Sequence, residues 1–254
     1  MGSADTVFYY FVAMKEPFGR IDGNDELRDE LLAYCRLKHG DIWIDPVKGH
    51  RVGVLDACDS AQISELCDSE SPTLAVHDPP YNVLLQNKST SQLPSMDIDV
   101  YIRQAKSWVS NSITVLAPDS SMYFWLGADQ KNHFQPLPEF MLMMKAFNEV
   151  RSRSFLTLRN QRGYGTQKNW MSVRQECLYY EKGKPTFNIE AVYTDIPKVL
   201  KGYYKNVNGE RVENTERGKG NTIRAGNVWV DVQQVFYRLE ENVPGCYAQK
   251  PLKS

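Results

Sequence analysis

The stretch Thr73-Leu74-Ala75-Val76-His77-Asp78-Pro79-Pro80-Tyr81 constrains this chain more than any other. An apolar run of strand length that stops at an acid, two prolines and an aromatic reads as a strand delivering a rigid lip to a sheet's carboxyl edge. Open α/β sheets take their ligands at that edge. The prolines fix φ and remove two backbone donors, which leaves the nearby carbonyls as acceptors. A carboxylate and carbonyl oxygens can grip an exocyclic amine, and the Tyr81 ring can stack on a flat heterocycle. An ordinary strand-to-turn junction accounts for the same residues, since Asp and Pro both favour turns. Taken alone, the tetrapeptide leaves the two readings level.

The rest of the chain alternates strand and helix. Residues 41–81 read as two short strands, a helix around Ala61 to Leu66, and the strand entering the motif. Residues 95–117 are an amphipathic helix with Ile98, Tyr101, Ile102, Ala105, Trp108 and Val109 on one side. Ser121 to Gly127 is a continuous apolar run suited to a buried parallel strand. Pro136 to Asn148 is a helix expected to turn Phe140, Met141, Met144 and Phe147 inward, a Met-rich face that reads as core. Phe155 to Leu158 begins the next strand, and Gly226 to Asp231 returns to strand character. This order predicts a mostly parallel sheet with helices on both faces. Residues 1–40 read as an N-terminal extension, with a helix capped by Asp25 and packing through Leu27, Leu31, Leu32 and Cys35.

From Asn160 to Arg224 the pattern dissolves into Gly, Asn, Lys, Arg and Tyr, too long for an ordinary connection in a compact domain. The formal net charge is −1, so a nucleic-acid partner requires local basic surface. Such surface exists: residues 151–184 hold eight basic side chains against two acidic ones, a local excess of six positive charges. Within it, Arg162, Lys168 and Arg174 suit phosphates, Gln161 and Asn169 suit base edges, and Tyr164 and Trp170 suit stacking or wedging. A solvated basic loop is the plainer account of these residues. The five cysteines form no CxxC pair, and the apolar stretch Val7 to Met14 is too short to span a bilayer. A reduced, cytoplasmic setting is therefore expected, with no membrane and no metal site.

Several blocks then fall into one order. Gly40-Asp41-Ile42-Trp43, His50-Arg51-Val52-Gly53-Val54-Leu55-Asp56 and His77-Asp78-Pro79-Pro80-Tyr81-Asn82-Val83 resemble the opening of amino-group DNA methyltransferases. Gly226-Asn227-Val228-Trp229, followed by Tyr247-Ala248-Gln249-Lys250-Pro251-Leu252, resembles a later pair of segments in that family. The order is that of the permuted (beta-type) subgroup, in which the catalytic half precedes the cofactor half. The resemblance implies an α/β, Rossmann-like, circularly permuted fold that binds S-adenosylmethionine and carries an inserted target-recognition region. On it, residues 41–159 are the catalytic half, 160–224 the basic target-recognition region, and 225–254 the return strand and the start of the cofactor half.

With Asp leading the motif, the resemblance implies methylation of adenine N6, a pattern that some cytosine-N4 enzymes share. Asp78, Pro79, Pro80 and Tyr81 then carry catalysis on a base flipped out of double-stranded DNA, in a restriction–modification setting. Gln249, Lys250 and Pro251 line the methionine end of the cofactor, although Gly245-Cys246-Tyr247-Ala248 stands where His-Pro-Thr is usual. A terminal lysine in a frayed tail is the alternative there. Asp56 matches an acid upstream of the motif, with turn capping as its alternative, and His77 reads as structural. The subgroup's Asp-Pro-Phe-x-Gly-x-Gly cofactor loop has no counterpart before Leu252-Lys253-Ser254. An incomplete enzyme is expected, or else a non-catalytic DNA-binding fragment or subunit that acts only with a partner carrying the cofactor loop. A complementing polypeptide or a homodimer is the protein partner the resemblance allows. Methylation of RNA or of a protein glutamine is the weaker option, since the protein-modifying family usually has Asn at the position of Asp78.

Overall fold

The structure, a computed structural model, describes residues 37–82, 96–128, 132–164, 168, 170–188, 190–192, 204–213, 222–224 and 226–229. The expected N-terminal helix and Gln249 to Pro251 lie outside these residues. In chain order the elements are β1 (Ile42–Ile44), β2 (Arg51–Gly53), α1 (Ser60–Cys67), β3 (Leu74–His77), α2 (Ile98–Val115), β4 (Ser120–Leu126) and α3 (Leu137–Met144). They continue with β5 (Val150–Tyr164), β6 (Ser172–Lys182), β7 (Glu190–Val192), β8 (Tyr204–Val207), β9 (Glu210–Glu213), β10 (Thr222–Arg224) and β11 (Val228–Trp229). Asp59 caps α1 by accepting from the Ala61 and Gln62 amides, and Asp97 caps α2 by accepting from Asp99 and Val100.

The central sheet runs β11-β5-β6-β4-β3. β3 pairs parallel with β4 and β11 parallel with β5, while β6 is antiparallel to both of its neighbours. The sheet is therefore mixed, which corrects the mostly parallel expectation. The strand responsible is β6, inside the stretch where the sequence pattern dissolves. Its apolar part is the short run Cys177 to Tyr180, buried on both faces and bracketed by Glu176 and Glu181, so no alternation announces it. Glu181 meets Arg151 and Arg153, and Glu176 meets Arg174 and the Thr157 hydroxyl, which gives each buried carboxylate partners. β5 likewise begins before Phe155 and runs through Tyr164, so Arg162-Gly163-Tyr164 is strand and not loop.

α2 and α3 pack on one face of the sheet. Ala105, Val109 and Ile113 of α2 and Phe140, Met143 and Met144 of α3 close over Met122, Phe124, Leu126, Leu178 and Tyr180. At 100° per residue, the positions following Phe140 on that face of α3 are Met143 and Met144. Met141 points away and is 40% exposed, so Met143 takes the inward place expected of Met141. The opposite face carries a second cluster of Trp125, Leu156, Leu158, Cys177 and Tyr179. Among the described residues no helix covers it, where helices on both faces were expected.

Lys182 closes the carboxyl end of α2. Its Nζ donates at 2.8 Å to the carbonyls of Ile113 and of Leu116. Those carbonyls have no partner within the helix and carry the negative end of its dipole. Lys182→Met should lower unfolding stability by about 1.5–3 kcal/mol, the usual range for hydrogen bonds to a charged group. Urea denaturation reads this directly, and an unchanged midpoint would show that Lys182 contributes nothing to the helix end.

Candidate active site at the carboxyl edge of the sheet

β3 ends at His77 and delivers Asp78, exposed, at the carboxyl edge beside β4. One residue earlier the chain is anchored in the core. The His77 ring stacks on Phe124 at 4.8 Å and 9°, with the tilted Trp108 ring 5.1 Å away. Burial in this aromatic setting lowers the imidazole pKa to about 4, and Nε2 has no hydrogen-bond partner among the described residues. His77 is thus neutral and structural, as its position suggested.

Hydrogen bonds among the described residues hold the motif. The Tyr81 hydroxyl donates to Asp78 Oδ1 at 2.9 Å. Burial first, and then the neighbouring Asp78 carboxylate, hold that hydroxyl far above the ordinary tyrosine pKa, so it stays a donor. From α2, the buried Tyr101 donates its hydroxyl proton to the Pro80 carbonyl at 2.8 Å. The Pro79 carbonyl receives no hydrogen bond from the described residues. Asn82 adopts a left-handed φ of 52°, which asparagine tolerates. Its amide nitrogen donates to the Met96 carbonyl at 2.9 Å, and its oxygen accepts from the Met96 amide at 2.8 Å. That pair of hydrogen bonds ties the motif to the entry of α2. Tyr101 and Asn82 escaped the sequence reading as site residues. The only available signal was a tyrosine on a buried helix face, whose hydroxyl demands a partner.

The other expected residues are placed as follows. Asp56 lies in the turn before α1, where its Oδ1 accepts from the Cys58 amide at 2.8 Å and its own amide donates to Gln62 Oε1. Turn capping is therefore what its carboxylate does in this structure. Gln161, Arg162 and Tyr164 belong to the distal part of β5, and Asn169 lies outside the described residues. Lys168 is exposed and Trp170 is 91% exposed. Arg174 is held by Glu176 at 2.8 Å. A separate open cavity of about 710 Å³ lies on the sheet face opposite α2 and α3, lined by Tyr123, Tyr179 and Trp229 among others. No helix among the described residues is long and apolar enough to cross a membrane.

β3 thus presents an acid, a prolyl carbonyl and a tyrosine together at the carboxyl edge of an α/β sheet. Residues 73–254 match the N6_N4_Mtase family of DNA methylases, and the chain belongs to that family. It is 25% identical over 186 residues to the Type II methyltransferase M.HpaI of Haemophilus parainfluenzae, a match covering 72% of this chain and 51% of that protein. The chain thus spans about half the length of that curated relative. Solved structures similar to it include the cytosine-N4-specific PvuII DNA methyltransferase, at 17% identity over 49% of each chain with a TM-score of 0.36. Another is a DNA modification methylase of Thermus thermophilus, at 15% identity over 70% of this chain and 66% of that one, with a TM-score of 0.38.

The lowered His77 pKa sets a pH dependence. An unfolded histidine titrates near 6.5, whereas the folded one resists protonation down to about 4. Between these values the unfolded state binds more protons, so stability is full above about pH 6.5 and is lost as pH falls toward 4. The linked loss is about 3 kcal/mol across that window. His77→Phe should keep the stack and flatten this part of the profile in denaturation series at stepped pH. An unchanged slope would assign the acid sensitivity to other groups.

Proposed function

We propose that this chain serves the transfer of a methyl group from S-adenosylmethionine to the N6 amine of an adenine flipped out of double-stranded DNA. The observation that carries the reading is the pairing of Asp78 with a Pro79 carbonyl that accepts no hydrogen bond from the described residues, at the sheet edge beside the Tyr81 ring. The adenine amine is a poor nucleophile because its lone pair is delocalised into the ring. Two acceptors, the Asp78 carboxylate and the Pro79 carbonyl, draw its hydrogens out of the ring plane and localise that pair. Tyr81 stacks on the extruded ring, and Tyr101 keeps the Pro80 carbonyl turned away from the base.

S-adenosylmethionine supplies a methyl carbon on a cationic sulfonium. Transfer of that carbon to the amine nitrogen would release the donor sulfur as the neutral thioether of S-adenosylhomocysteine, with the surplus amine proton passing to water. Asp78 stabilises the positive charge that nitrogen carries before that proton leaves. Gln249, Lys250 and Pro251, with Asp56, are the residues proposed to hold the cofactor. Among them the structure describes Asp56 alone, as a turn residue with room for a second acceptor role on its exposed carboxylate. Lys168, Trp170 and Arg174, with Gln161, Arg162, Tyr164 and Asn169, form the proposed DNA-contacting set.

Asp78→Ala should abolish transfer of radiolabelled methyl from S-adenosylmethionine to DNA while leaving the thermal unfolding curve in place. Nucleoside analysis of the product then distinguishes N6-methyladenine from N4-methylcytosine, and the latter would replace adenine in this reading. Undiminished transfer by Asp78→Ala would defeat the assignment of the motif. For the DNA surface, Lys168→Gln should weaken binding to all sequences alike and reduce the salt slope by about one ion. A slope identical to that of the unmodified chain would remove Lys168 from the phosphate contacts.

A further inference from the structure

Gly127 follows the last residue of β4 and lies beside Tyr81 at the same sheet edge. Its φ falls outside the left-handed region, so its backbone would accept alanine. What a side chain there would meet is the tyrosine. A Cβ built on Gly127 comes within 2.5 Å of Tyr81 Cδ2, 3.0 Å of Cγ and 3.2 Å of Cβ. These atoms are the root of the side chain, and the Cβ is fixed to the motif backbone, so rotating the ring does not relieve every contact. The ring has no easy retreat, because it packs against the clusters on both faces of the sheet, and its hydroxyl is bonded to Asp78.

We infer that Gly127 is a positioning residue for the motif: its missing side chain is the notch in which the Tyr81 ring sits, and that seat sets where the base stacks relative to Asp78. The inference rests on the reading of Asp78 and Tyr81 as the base-holding pair. A methyl group at position 127 displaces the ring and breaks the Tyr81–Asp78 hydrogen bond together. Misplacement of a positioning group by about 1 Å costs on the order of a hundredfold in rate.

The test is a double-mutant cycle on the full chain, comparing Gly127→Ala and Tyr81→Ala, singly and combined, for methyl transfer to DNA. Gly127→Ala should cut kcat/KM on the order of a hundredfold when Tyr81 is present, and add almost nothing once Tyr81 is alanine. An equal loss in both backgrounds would overturn the inference, because the glycine would then act through something other than the ring. Nitration by tetranitromethane, mapped by peptide mass spectrometry, supplies a readout that needs no activity. Displacing the ring should raise the rate at Tyr81 several-fold and leave the buried Tyr101 and Tyr180 unchanged. An unchanged rate at Tyr81 in a folded Gly127→Ala protein would also overturn it. If the unmodified chain transfers no methyl at all, the functional reading fails for the chain acting alone, and the nitration rates decide the role of Gly127.

Discussion

The stacking of Phe124 joins the motif to the rest of the molecule. Phe124 is fully buried in the middle of β4 and touches four aromatic rings: His77 from β3, Trp108 from α2, Phe140 from α3 and Tyr180 from β6. Pairs of this kind contribute about 0.5–1.5 kcal/mol each beyond the area they bury. Their larger consequence is geometric. Because His77 is locked in that stack, the residue that follows it emerges from the sheet at one defined place. An exposed acid needs such an anchor, since solvent by itself gives a carboxylate no preferred position.

The electrostatics of β6 change how the basic stretch is to be understood. Counted along the chain, residues 151–184 carry an excess of positive charge. In the fold, Arg151 and Arg153 converge on the buried Glu181, and Arg174 on the buried Glu176. Removing a carboxylate from water costs several kcal/mol unless charged donors follow it. These three arginines therefore serve the sheet before they serve any phosphate. The attraction for a polyanion falls more heavily on the remaining basic residues than the charge count suggests. Arg174 can still reach a phosphate only by sharing a guanidinium already bonded to Glu176.

Much of the first half of the fold was legible in the sequence. Strand β3, the face of α2 and the buried strand β4 all follow from apolar periods of the right length. What the sequence hid was β6, because its two acids interrupt the apolar run, and their arginine partners are brought beside them only by strand pairing with β5 and by β6's own alternation. Met143 in place of Met141 is a smaller case of the same kind, where the phase of a short helix is set by its first buried residue. In the site, Asp78 to Tyr81 stood out by residue type, but a turn accounted for the same residues until the other blocks fell into the order of one family. Tyr101 and Gly127 could not, because their roles consist of a contact with the motif across 20 residues of chain or more, and no local pattern encodes which backbone carbonyl or ring they will meet.

The grip and the discrimination of such a site have different sources. A carboxylate and one carbonyl acknowledge any exocyclic amine, so they serve adenine and cytosine alike. Asn82, Tyr101 and the paired prolines hold those acceptors rigidly, and preorganisation of this sort lowers a barrier without choosing between the two rings. Choice must come from the surfaces that meet the ring itself. In the proposed reading Tyr81 is the residue that stacks on that ring, and Gly127 and Asp78 together fix its position. The distance between stacking face and acceptors, not the identity of the acceptors, is then the dimension that a purine and a pyrimidine would satisfy differently.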